Sequence, residues 1–357
     1  MSAKPQPPPG GDIDIGWKLE VGTTVTFLSA TIVVALRCFT RWKYSQRGWD
    51  DYLMVVALLQ ALVATIVDFV AVNNGLGRHA FYLSPPEAVN QQYYSLLAQV
   101  FCVHGLSFAK LSIVVSYIRV LRDSGSRFHQ ILLWTTGGLV FVVNTIVIIT
   151  FYAACNPTEK AWNPSISGTC WAPTKRIVFP ILQGAFSGFT DFFLAFYPFF
   201  FLRKLRLRWR TKAFVLLLMG LGAVTGVFAV IRTVETATQL HAPPSKMPDM
   251  SFSTVLGLTW SGMERNIAML VGSVPALNPL AAPATRLLRQ TFSSSKSRLR
   301  SAKSGSYQLS DVPESSKLPS KDAEKQSYTA EWNQKTGTPV ASASEEQIFT
   351  AQGREIA

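Results

Sequence analysis

The sequence predicts an all-α fold, a seven-transmembrane helix bundle with its N-terminus outside, its C-terminus cytosolic and a disordered tail. Three observations predict it. Hydrophobic residues make up 48% of the 357-residue chain and charged residues only 15%, against about 25% charged in a typical soluble domain. The charges gather in short blocks separated by nearly charge-free runs of about 20 residues, the length that crosses a ~30 Å hydrocarbon core. The basic residues fall mainly in alternate loops, as topology requires. Backbone groups in lipid must be satisfied within the segment, so helices are expected, and the alternation of a β-barrel is absent.

Residues 1–18, "MSAKPQPPPGGDIDIGWK", are rich in Pro and Gly and are expected to be a disordered extracellular N-terminus. They lack the basic-then-apolar order of a cleavable signal peptide, so the first run should stay as a signal anchor. Seven runs follow at 19–38, 51–72, 95–118, 131–154, 176–202, 213–234 and 253–277, within a membrane domain expected to span 19–285. One set of loops carries Arg41, Lys43, Arg47, Arg119, Arg122 and Arg127, then "RKLRLRWRTK" at 203–212 and five more basic residues in 286–300. The alternate set holds Lys4, Lys18, Arg78, Lys160, Lys175, Arg176 and Lys246. Seventeen against seven puts the first set in the cytosol. Trp17, Trp42, Trp49, Trp171 and Trp209 lie near run ends, as an interfacial belt would. The +13 net charge is therefore a topology signal. Its short, separated basic blocks argue against nucleic-acid binding.

Two of the four cysteines, Cys155 and Cys170, share the loop "CNPTEKAWNPSISGTCW", placed outside where disulfides persist. A bridge within this loop would be worth ~3 kcal/mol in the loop-entropy account. The alternatives are a bridge from Cys102 to one loop cysteine, or none; Cys38 faces the reducing side. No spacing suggests zinc or another metal. Asn156 and Asn163 each precede proline, which excludes N-glycosylation there. Past the bundle, Leu287, Leu288 and Phe292 with Arg286 and Arg289 could form an amphipathic segment against anionic headgroups. A plain basic linker is the alternative. Residues 286–357 read as a cytosolic basic segment and a Ser-rich tail too polar to bury a core.

Ionisable residues inside spans are costly, and they face the bundle interior or water. Here they are Asp68, His104, Lys110, Asp191, Arg232, Glu264 and Arg265, with Glu235 at an outer end. At 1.5 Å per residue Lys110 lies about 8 Å above the inner end of its span. That is the layer of Asp191. Lys110 is expected to pair with Asp191, or with Glu264; the alternative is that its stem snorkels to the headgroups. Asp68 and Arg232, both in the outer part, form a second candidate pair. Gly137-Gly138 and "MGLGAVTGVF" supply small residues for close helix contact.

Read in order, "RGWDDYLMVVALL", "AKLSIVVSYIRVL", the "C…WNP…G.C" loop, "TDFFLAFYPFFFLRKLRLRWRTKAFV", "IRT" and "ERNIAMLVGSVPALNPL" resemble the fungal rhodopsin-domain integral membrane proteins. The resemblance covers about residues 19–285. It implies a seven-helix membrane protein likened to G-protein-coupled receptors. Members of that group include proposed cell-surface receptors and products of secondary-metabolite clusters. The matching residues are Asp50, Asp51, Lys110, Arg119, Cys155, Cys170, Asp191, Arg232, Glu264, Pro275 and Pro279.

Retinal is not expected as a cofactor, because residues 253–277 contain no lysine for a Schiff base. Neither is catalysis: there is no His-rich cluster, nucleophile elbow or phosphate loop. The favoured reading is a receptor-like sensor with an unknown small ligand entering from outside. It would signal through Arg119, Arg203, Lys204, Arg206, Arg208 and Arg210 to a G protein or another cytosolic partner. The alternatives are a transporter or proton/ion conductor using Lys110, Asp191 and Glu264, or a non-catalytic scaffold. The expected location is the plasma membrane, with an endomembrane as the alternative.

Overall fold

Each apolar run becomes the body of a helix that begins before it. The computed structural model describes residues 11–44, 47–121, 127–202, 209–240 and 250–277. The helices are α1 (Gly16–Lys43), α2 (Trp49–Asn73), α3 (Pro85–Leu121), α4 (Arg127–Ala153), α5 (Pro173–Leu202), α6 (Trp209–Leu240) and α7 (Met250–Ser273). The largest extension is at the start of α3, ten residues before the run begins. There Ser84 caps the helix: its backbone N–H and its hydroxyl both donate to Glu87 Oε2, at 2.8 and 2.7 Å. Those two bonds hold the Glu87 carboxyl below the usual carboxylate range.

α1 to α6 contain helices long and apolar enough to cross a membrane, and α3 is the most buried of them. α7 falls short in composition and not in length. Its 24 residues reach about 36 Å at 1.5 Å each, but it carries Glu264, Arg265 and Asn266, all fully buried. It ends at Ser273, earlier than the apolar run, because Pro275 has no N–H to donate and breaks the ladder. The last four residues, Val274–Leu277, form a 3₁₀ turn.

Successive helices pack on one another, α7 closes back on α1, and α3 touches α7 through the middle. α1 shows the inside-out pattern this demands. Val21, Val25, Leu28, Ile32, Leu36 and Phe39 face outward, while Leu19, Thr23, Ala30, Val34 and Arg37 are buried. Ala30, Ala57, Ala61, Ala109 and Ala268 dominate the core where α1, α2, α3 and α7 meet. Small residues also set the α5–α6 seam, where Gly222 lies against Ala195 and Gly226 against Phe192. Gly137 likewise meets Leu111 and Val114, but Gly138 faces open space. Only half of that Gly-Gly pair serves helix contact.

Between α4 and α5, Cys155–Asn156 (β1) pairs antiparallel with Thr169–Cys170 (β2). The disulfide joins Cys155 to Cys170 (S–S 2.03 Å), and Cys38 and Cys102 are free. The candidate amphipathic segment and tail lie outside the described residues.

Candidate functional site

Polar side chains from five helices meet in the middle of the bundle. Pro198 deprives α5 of one donor, so the carbonyl of Leu194 loses its helical partner; the Tyr117 hydroxyl of α3 donates to it instead at 3.2 Å. A turn or two further along, the α3–α5 contact becomes ionic. Lys110 Nζ lies 3.0 Å from Asp191 Oδ1. It also donates to the Ser187 carbonyl (2.9 Å), Ser187 Oγ (2.8 Å) and Thr190 Oγ1 (3.1 Å). Lys110 is buried, so its stem does not snorkel. Glu264 enters through Ser187, whose hydroxyl donates to Glu264 Oε1 at 2.6 Å.

From Glu264 the contacts continue around the bundle. Arg232 Nη2 of α6 sits 3.3 Å from Glu264 Oε2. Its Nη1 donates to Gln183 Oε1 (3.1 Å). Gln183 Nε2 donates to Asn144 Oδ1 (2.9 Å), and Asn144 Nδ2 to Ser107 Oγ (2.7 Å). Ser107 is one turn from Lys110 on α3, so the contacts close into a ring through α3, α5, α7, α6 and α4. The expected Asp68–Arg232 pair does not form. The Arg232 guanidinium is taken by Glu264 and Gln183, and the charge nearest in effect to Asp68 is Arg265.

A second cluster lies at the end of the bundle opposite the disulfide. Arg37 is completely buried. Its Nη2 meets Asp50 Oδ2 at 2.5 Å and Ser116 Oγ at 3.3 Å, and its Nε meets Asp51 Oδ1 at 2.8 Å. Its Nη1 donates to the Gly272 carbonyl at 2.6 Å. Arg41 approaches both carboxylates at 3.6 and 3.7 Å, and Arg119 lies 3.5 Å from Asp50 Oδ1. The arrangement latches α1, α2, α3 and α7 together. A guanidinium suits it because its planar fork serves several acceptors at once.

At the disulfide end, Trp162 packs edge-on against Tyr93 of α3, with centroids 5.4 Å apart. Arg78 binds Asp12, and that hydrogen bond holds the Asp12 carboxyl below its ordinary value.

Several members escaped sequence reasoning. Arg37 sits one residue from the end of an apolar run, where it passes for a flanking charge. Its signal was the helical spacing from Arg41 together with the adjacent Asp50-Asp51. Asn144, Gln183, Ser107 and Ser187 are uncharged, and polar amides inside apolar runs were the available clue. Of the expected coupling residues, Arg119 belongs to the latch. Arg203, Lys204, Arg206 and Arg208 lie outside the described residues, as does the side chain of Arg210, which is in the first turn of α6.

A family model, the fungal rhodopsin domain, matches residues 36–283. The chain belongs to the fungal rhodopsin domain family. With six membrane-length helices among the described residues it is a multi-pass membrane protein of that family. This rhodopsin-domain protein is also similar to "Fugralins biosynthesis cluster protein 2" of Gibberella zeae, at 23% identity over 203 residues. The match covers 56% of the chain and 48% of the relative, so the chain spans about half the length of the curated relative it matches. The matched domain takes in both the latch and the ring, from Arg37 to Gly272.

Proposed function

We propose that this rhodopsin-domain protein is a receptor-like sensor that works without retinal. All seven helices cross the membrane, the disulfide end faces outside, and the latch end faces the cytosol. The observation that carries the reading is the reach of α3. One unbroken helix meets the disulfide loop at Tyr93, the polar ring at Lys110 and the latch at Ser116 and Arg119. α7 repeats the link from Glu264 to the Gly272 carbonyl. A ligand that shifts α3 at the disulfide end therefore strains two buried ion-pair clusters, and repacking of such clusters is a route to a two-state response. The relative's name ties that protein to a biosynthesis cluster, in keeping with a small diffusible product as the input.

The test is co-purification of the detergent-solubilised full chain with defined cytosolic partners. Recovery of a heterotrimeric G-protein subunit that is lost in Arg119→Ala supports the sensor. Unchanged recovery in that variant removes the coupling role of the latch.

Proton transport is the second reading. Asp191 Oδ2 lacks a hydrogen-bond partner within the buried ring, so this carboxylate has an oxygen free to take a proton. Proton flux into reconstituted vesicles, abolished by Asp191→Asn, would favour it over sensing. A scaffold would show neither effect.

A further inference from the structure

At the disulfide end of α5 a groove of about 490 Å³ opens at the surface of the bundle. Among the described residues it is lined by Trp171, Thr174, Lys175, Val178 and Phe179. Their spacing of three and four residues puts the last four on one face of α5, with Trp171 just ahead of the first turn. The Trp171 and Phe179 rings lie 6.2 Å apart, centroid to centroid, and form an apolar wall. One end of that wall is fixed from behind. The Trp171 N–H donates to the Ala154 carbonyl at 2.8 Å, beside the disulfide that joins Cys155 to Cys170. The groove is open to an incoming molecule: Trp171 is 39% and Val178 36% exposed, and Lys175 is exposed too. No acid lines it among the described residues, so the Lys175 ammonium is the charge it presents.

The groove lies where α5 leaves the hydrocarbon, and it is amphipathic along its length. Lys175 sits in the first turn, where its head reaches the headgroup level. Phe179 is one turn further in, about 6 Å deeper at 1.5 Å per residue. A wholly polar ligand would lose water against this wall without compensation. A cation would be repelled by Lys175, and a neutral hydrocarbon would leave the ammonium unused. An anion carrying an apolar chain satisfies both ends. One ammonium matches one negative charge, and a lining drawn from a single helical face suits one chain rather than the two of a bilayer phospholipid. The volume falls within the roughly 300–1,000 Å³ of small-molecule sites. We infer that this groove binds a long-chain carboxylate, with its head on Lys175 and its chain against Trp171, Val178 and Phe179. The inference needs only that α5 spans the membrane and stands apart from the sensor reading.

Photolabelling of the full chain in phosphatidylcholine nanodiscs tests it, with a diazirine-bearing palmitate as the probe and labelled peptides mapped by mass spectrometry. The expected result is label concentrated on residues 171–179 that excess palmitate displaces and hexadecanol does not. The apparent palmitate affinity should fall roughly tenfold in Lys175→Glu, where a modest attraction becomes a repulsion of similar size, and should survive in Lys175→Arg. Lys18→Glu, on α1, should leave it unaltered. Label spread evenly over the outward faces of the helices, equal displacement by hexadecanol, or an unchanged affinity in Lys175→Glu overturns the inference. So does loss of label when phosphatidylserine replaces part of the phosphatidylcholine, because the bilayer's own lipid is then the occupant. The two competitors on the unaltered chain decide this even if a variant fails to fold.

Discussion

Replacing Arg37 by methionine removes the hub of the latch while keeping most of its volume. The substitution leaves two buried carboxylates, with side chains 1% (Asp50) and 11% (Asp51) exposed. Breaking a buried pair typically costs about 3–5 kcal/mol. Here Arg41 and Arg119 remain within 3.5–3.7 Å of the two acids, which puts the electrostatic loss near the lower figure, roughly 3 kcal/mol. The Gly272 carbonyl also loses its donor, for about 1 kcal/mol more. Arg37→Met should therefore destabilise the protein by about 4 kcal/mol, and Arg37→Lys by about half that, since an ammonium keeps the charge but not the fork. The assay is reversible unfolding of the detergent-solubilised chain for Arg37→Met, Asp50→Leu and the double variant. Losses that add to within about 0.5 kcal/mol would refute a direct pair. So would an Arg37→Met protein within 1 kcal/mol or so of the parent, since a buried pair must cost more than that to break.

In the same assay, Lys110→Met should cost about 3–5 kcal/mol by stranding Asp191, and Lys110→Met/Asp191→Leu should regain more than half of it; additive losses refute the pair. Replacing Cys155 and Cys170 by serine should cost about 3 kcal/mol, the value for a loop of this length, and should raise hydrogen exchange around Trp162 and Tyr93. Exchange that rises equally around Lys110 would show the loop to be more than a local closure. Asp12, whose folded pKa is depressed, contributes stability above the ordinary carboxylate value of 3.8 and loses it as pH falls through its lower folded value. Exchange of the Ile15 amide, bonded to the Gly77 carbonyl at 3.1 Å, should therefore stay slow down to that range and then accelerate. No change in Ile15 exchange on Arg78→Ala would refute the link.

The helices were legible because lipid imposes one signal on all of them, a charge-free run of fixed length. Their ends were not, since capping by Ser84 and Glu87 extends α3 through polar sequence that no hydropathy criterion favours. The layer shared by Lys110 and Asp191 could be read from rise per residue alone. Partner choice could not: whether Arg232 turns to Asp68 or Glu264 depends on helix rotation and on Gln183, a residue without charge. Arg37 was hidden by its position at a run end, where a snorkelling arginine and a buried one look alike in sequence.

Because the polar contacts return to α3, any two members are joined by two routes. Deleting the Asn144 amide opens the circuit at α4 but leaves Lys110 and Glu264 connected through Ser187. Deleting the Ser187 hydroxyl leaves them connected the long way, by Arg232, Gln183, Asn144 and Ser107. One cut turns a circuit into a chain, and a second cut severs it. Asn144→Ala combined with Ser187→Ala should thus lose more stability than the two separate losses predict. Over evolutionary time such wiring would tolerate drift at one position and forbid it at two.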